Sequence, residues 1–217
     1  FVVPNLYGSP AHHAVLDLVH GERVALTPHA MWGTAWGTKN YVEAASYLGI
    51  LPWALAALAF FDRRRRRVTA FLGGLAALAL AFAFGTPAYR LVFALPGIDQ
   101  LHSPFRWVLA FALVGIALAG LGADALLDDD PPPGIRRAAG WLGGGLLAAA
   151  LALLAALALA FAMPQRWTTF VMGIAERDPL ALAAILERFP DGSAFASYQF
   201  GNALHAAVFG TLAGALM

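Results

Sequence analysis

The sequence predicts an all-α integral membrane fold: a polytopic helix-bundle fragment with about five transmembrane helices and outer-face loops carrying short interfacial helices. Three observations lead there. Ala44–Phe61 and Val68–Gly85 are runs of 18 residues each without a charged side chain. At 1.5 Å per helical residue each covers about 27 Å, close to the hydrocarbon core of a bilayer. Between them stand five consecutive arginines, Arg63-Arg64-Arg65-Arg66-Arg67, a positive-inside signal. Finally, 60% of the residues are hydrophobic and only 12% are charged, against about 25% charged in soluble domains.

The elements follow in order. Residues 1–40 are polar, contain Gly and Pro, and are rich in His and Trp. They read as an extracytoplasmic loop segment, and residues 41–217 as the transmembrane domain. Span one covers about 41–61, and Asp62–Arg67 is a cytoplasmic turn. Span two is 68–85. The outer stretch 86–106 contains Pro87, Pro96-Gly97 and Pro104, so it is not one regular helix. Span three, 107–123, is entered through the interfacial pair Arg106 and Trp107.

Residues 124–137 form a second cytoplasmic loop. Span four, 138–163, is long enough to tilt. In 164–197, Trp167, Phe170, Val171 and Ile174 recur at helical spacing. Asp178-Pro179 then opens a second amphipathic stretch with Leu182, Ile185, Leu186 and Phe189. Both read as short helices lying on the membrane. Span five runs from about 200 to 217.

Orientation comes from counting. The loops 62–67 and 124–137 hold seven arginines in 20 residues, which places both on the cytoplasmic side. Clustered beside spans, these charges point to anionic lipid rather than to nucleic acid. The start at Phe1 and the stop inside the apolar run Thr211–Met217 read as a piece of a longer chain. Glycines 115, 120, 122 and 143–145 are read as close-packing positions. Without cysteine, no disulfide or redox compartment is legible.

Several residues are candidates for chemistry. Arg106 stands at the outer edge of span three, where its guanidinium could grip lipid-phosphate oxygens; the competing reading is an arginine that snorkels to headgroups. His102 is a second donor or a solvated loop histidine. Trp107 completes the substrate-binding candidates. Asp99 faces a sugar hydroxyl or forms a turn after Pro96-Gly97. Glu43 is a general base or a partner for Lys39. Tyr7, Trp32 and Trp36 are sugar-stacking or interfacial aromatics.

No cofactor is indicated. His12, His13, Asp17 and His20 are residue types that suit a divalent metal, although their spacing matches no metal motif. Nucleotide-binding and serine-hydrolase motifs are absent from the sequence.

Three ordered stretches carry a resemblance. They are Glu43–Pro52, then Gly85–Arg90 with Leu95-Pro96-Gly97, then His102-Ser103-Pro104-Phe105-Arg106-Trp107 with Ala119–Asp124. Together they resemble the YfhO-like family of bacterial multi-spanning membrane proteins over about residues 1–125. That family is grouped with the C-type glycosyltransferases. The resemblance implies transfer of a sugar from a polyprenyl-phosphate donor to a cell-envelope acceptor on the outer face. It also implies a catalytic carboxylate in an outer loop outside this chain. His102 departs from the family, which often has arginine near that position. The rival readings are a lipid or solute translocator and a non-catalytic membrane scaffold. The charge-free interiors of spans one to four count against the translocator.

Overall fold

The computed structural model describes residues 13–27, 48–87, 89–90, 94–95 and 106–217 of the 217-residue chain, without the side chains of 180, 181 and 184. These residues are mostly helical. A small hairpin, β1 (Ala14–Leu16) and β2 (Arg23–Ala25), comes first. The helices are α1 (Ile50–Ala59), α2 (Arg66–Ala83) behind the 3₁₀ turn Arg63–Arg65, α3 (Trp107–Leu126), α4 (Pro133–Ala162), α5 (Pro164–Ala175), α6 (Pro179–Arg188) and α7 (Gly192–Leu216). The chain divides into two compact units. One contains Ser46–Leu147 and Leu212–Met217, the other Val3–Ala45 and Ala148–Thr211.

Among the described residues, three helices are long and apolar enough to cross a membrane: Arg63–Ala83, Trp107–Leu126 and Pro133–Ala162. The expected first span differs from this. Gly49 has φ +90° and ψ 162°, a backbone that starts a new helix rather than continuing one. The ten-residue α1 that follows spans about 15 Å, half a hydrocarbon core. Residues 41–47 lie outside the described residues. The expected fifth span is also changed. Its helix begins at Gly192 instead of 200, and Ser193, Ser197, Gln199, Asn202 and Thr211 dilute its apolar character. Span four starts earlier than expected, because Pro133 occupies the first helical position and carries Arg136 and Arg137 into the helix. Among the described residues, the hairpin departs from the expected all-helical fold.

In the first unit, α3 is the centre. Val108, Gly115, Leu118, Ala119, Gly122 and Ala125 lie on one buried face, and α1 and α2 pack against α3. Trp53 stacks on Phe111 with ring centroids 4.9 Å apart. A Cβ on Gly122 would sit 1.8 Å from the Leu55 carbonyl oxygen, so glycine is what lets α1 come this close. Gly143 and Gly214 make a second close approach, with a Cβ on Gly143 falling 2.9 Å from the Gly214 oxygen. Gly120, Gly144 and Gly145 face open space.

The end of α2 follows from Gly85. At φ +63° it lets its own N–H reach the Phe82 oxygen and the Thr86 N–H reach the Ala81 oxygen, which closes the last turn. At the other end, Asp62 is buried and accepts the Arg64 N–H at 2.9 Å. Arg64 pairs with Asp128 at 2.7 Å, and Arg65 pairs with Asp124. These bonds bring the two arginine-bearing loops to the same end of the unit.

Candidate functional site

The second unit holds the candidate site. Pro164 occupies the first position of α5, directly after Met163 breaks the helix with φ −134° and ψ 63°. From there Trp167, Phe170, Val171 and Ile174 follow the i, i+3, i+4, i+7 spacing of an amphipathic helix. The Trp167 indole N–H donates to the Ala196 carbonyl at 2.7 Å, which ties α5 to α7. Phe189 meets Phe195 and Tyr198 at ring-centroid distances of 5.1 and 5.3 Å. These rings, with Ile185, Val171 and Leu26, form the core on which the hairpin lies through Val15 and Val24.

Beside this core is a cavity of about 440 Å³. Its walls are Leu153 from α4, Trp167, Phe170 and Ile174 from α5, Ile185 from α6 and Phe195 from α7. Phe170 and Ile174 are exposed, so the cavity communicates with its surroundings. Three polar side chains interrupt the apolar lining: Asp178, Gln199 and Asn202. Gln199 and Asn202 are buried, and the Asn202 amide donates to the Gln199 oxygen at 3.4 Å. Apolar walls with a few fixed polar groups suit a ligand that is mostly hydrocarbon with a polar point.

A polar latch lies in the same unit. The loop between β1 and β2 turns from Asp17 to Glu22, with Gly21 at φ +69°. Asp17 is fully buried. Its carboxylate accepts from the Val19 N–H at 2.8 Å, His20 Nδ1 at 2.7 Å and Ser193 Oγ at 2.6 Å. The single Ser193 proton is shared with Asp191 Oδ1 at 2.8 Å. Asp191 also caps α7 by accepting the Ala194 N–H, and Ser197 Oγ accepts the Leu18 N–H at 2.9 Å. Burial would raise the Asp17 carboxyl. The hydrogen bonds from Ser193, His20 and two backbone N–H groups outweigh burial and hold it at about 2. The Asp17 hydrogen bond and charge push His20 up from its ordinary 6.5.

The two shifts set the pH range of the latch. A carboxyl lowered on folding adds stability that is complete above its ordinary value of 3.8 and is lost as pH falls toward about 2. A histidine raised on folding adds stability that is complete below 6.5 and is lost as pH rises through its higher folded value. The latch is therefore strongest between 3.8 and 6.5. Amide hydrogen exchange at Leu18 and Val19, corrected for the intrinsic pH effect, is expected to show protection falling as pH rises through the raised His20 value. Equal protection from about pH 5 to about pH 9 would contradict the role of His20.

Of the metal candidates, Asp17 and His20 come together and His13 does not join them. The third member is Asp191, with ligand atoms of all three within 4.8 Å of one another. These residues could hold a divalent cation. Without one, the three donors already on the Asp17 carboxylate make it a hydrogen-bonded latch. His12 lies outside the described residues.

Arg106 is exposed, immediately before α3. Trp107 opens α3 and packs edge-on against Phe82 at 5.0 Å, with Tyr89 on Phe82 at 5.8 Å. It is thus held among aromatic side chains at the helix start. Glu43, Asp99 and His102 lie outside the described residues, as do Tyr7, Trp32, Trp36 and Lys39. The sequence reading missed Asp191, Ser193, Gln199 and Asn202. Asp191-Gly192-Ser193 before an apolar run is a readable helix-start signal. Nothing local marks the two amides. Compared with known protein families, characterised proteins and solved structures, the chain matches none.

Proposed function

We propose that this chain is the membrane-embedded, lipid-binding part of a bacterial inner-membrane protein of the C-type glycosyltransferase kind. In this reading it crosses the membrane about five times, and the Arg63–Arg67 end faces the cytoplasm. It transfers a sugar from a polyprenyl-phosphate donor to a cell-envelope acceptor on the outer face. The supporting observation is the apolar cavity of about 440 Å³ with its buried Gln199–Asn202 pair. A hydrocarbon chain is the ligand class that such walls favour. The ordered motifs that resemble the YfhO-like family supply the rest of the reading.

Arg106 is assigned to a lipid phosphate, which a planar guanidinium grips through two oxygens. Packing of Trp107 on Phe82 fixes the helix start that carries it. Glu43 and Asp99 are the carboxylates of this chain to test as bases. The experiment is transfer of labelled sugar from a polyprenyl-phosphate donor in membranes carrying the full-length protein. Arg106→Ala is expected to lower transfer at least tenfold, with partial recovery in Arg106→Lys. Ala206 on α7 also lines the cavity, and Ala206→Phe, which fills it, is expected to lower crosslinking of a photoactivatable prenyl phosphate. Undiminished transfer in Arg106→Ala would remove its role. Gene-independent transfer with every donor would favour the translocator or scaffold.

A further inference from the structure

We propose that the Arg63–Arg67 end of α2 is a binding site for an anionic phospholipid, with the headgroup phosphate on Arg63, Arg66 and Arg67 and an acyl chain along one exposed stripe of α2. This rests on the membrane reading and is independent of sugar transfer.

The five arginines are not equivalent. Arg64 is taken by Asp128 at 2.7 Å, and Arg65 by Asp124, with Asp62 at 3.9 Å. Among the described residues, no carboxylate lies within ion-pair distance of Arg63, Arg66 or Arg67. All three are exposed. They cluster around the N-terminus of an 18-residue helix, where the dipole already favours an anion and disfavours added cations. Three uncompensated guanidinium groups at that place leave the protein short of negative charge. A phosphate supplies it, with charge-assisted hydrogen bonds from each arginine.

The helix surface says which phosphate. Arg67, Phe71, Leu75 and Leu78 follow i, i+4, i+8, i+11, so they share one face, and Val68 borders it. Val68, Phe71, Leu75 and Leu78 are all exposed. The opposite side of α2 is occupied. Thr69 is buried, and Leu72 packs in the cluster with Leu118 and Ala119; Phe82, four residues beyond Leu78 on the stripe's own face, is buried and ends the stripe. From Val68 to Leu78 the stripe rises about 15 Å, one leaflet of a hydrocarbon core about 30 Å thick. A free phosphate or nucleotide would use the arginines and leave the stripe bare. A lipid with a charged head and an apolar chain covers both.

The test compares the purified full chain in phosphatidylglycerol discs, in phosphatidylcholine discs, and in phosphatidylcholine discs with inorganic phosphate. Thermal unfolding and native mass spectrometry are the readouts. The wild type is expected to unfold several degrees higher with phosphatidylglycerol and to retain one or more of its molecules. The R63Q/R66Q/R67Q variant is expected to lose at least half of that shift while matching the wild type in phosphatidylcholine. Where the triple variant does not fold, R67Q alone is read in the same way, since Arg67 heads the stripe.

Equal unfolding of the wild type in the two lipids would overturn the site, and so would a full shift in the variant. The same gain with inorganic phosphate would overturn the lipid assignment in favour of a free anion. A chain that enters neither disc would refute the membrane reading itself. Loss of sugar transfer with an intact lipid shift would refute only the enzyme reading.

Discussion

Gly122→Ala is expected to destabilise the protein by about 3 kcal/mol, whereas Gly120→Ala, two residues away, is expected to be neutral or slightly stabilising. The same chemical change has opposite effects because the surroundings differ. At Gly122 the new Cβ would lie 1.8 Å from the Leu55 oxygen and 2.7 Å from the Leu55 carbonyl carbon. These are backbone atoms of α1 and cannot rotate away, so α1 and α3 must separate. Separation weakens the Trp53–Phe111 stack and opens the packing of Gly115 against Trp53 and Leu48. At Gly120 nothing lies within 4 Å, so alanine brings only its better helix propensity, up to about 1 kcal/mol. Thermal unfolding of both variants in one detergent is the measurement. Equal stabilities would mean that α1 does not pack on α3 as described.

Asp17→Ala is expected to release the β1–β2 hairpin from α7, at a cost of about 3 kcal/mol. The carboxylate is buried and serves three donors. Its loss leaves the Val19 N–H without its acceptor and leaves the Ser193 hydroxyl to Asp191 alone. Asp17→Asn is expected to fall between wild type and alanine, because one carbonyl oxygen can still accept from Val19. Faster proteolysis within residues 13–27, with unchanged helix content, is the expected signature. Wild-type resistance in Asp17→Ala would show that Val15, Val24 and Leu26 hold the hairpin by packing alone. Adding a divalent metal to the wild type separates the latch from a metal site, since only a site would gain stability with the ion.

Sequence reading reached the features that repeat along the chain. A charge-free run of about 20 residues must be helical in an apolar setting, because every backbone N–H and C=O then finds its partner within the segment. That is why α2, α3 and α4 could be located closely from hydropathy alone. The two amphipathic helices after Met163 were legible for the same kind of reason. The spacing of Trp167, Phe170 and Ile174 and the Asp178-Pro179 start are local signals.

Local pattern failed where a polar residue is paid for by a distant partner. Ser193 reaches Asp17 across 176 positions, and Ser197 reaches Leu18 across 179. No window of sequence contains both ends of either bond. The break at Gly49 before α1 was not legible for a related reason. Hydropathy is continuous through Gly49, whereas the left-handed backbone there is not helical. Glycines 115, 120 and 122 look alike in sequence, yet Gly115 and Gly122 pack against α1 and Gly120 faces open space.

The sequence by itself determined the helical, apolar character of the chain and the clustering of positive charge in two loops, since both follow from residue type and spacing. The tertiary structure decided which arginines are neutralised, which glycines admit a neighbour, and where a cavity opens among apolar side chains. Those outcomes depend on distances between residues far apart in the chain, which only packing sets.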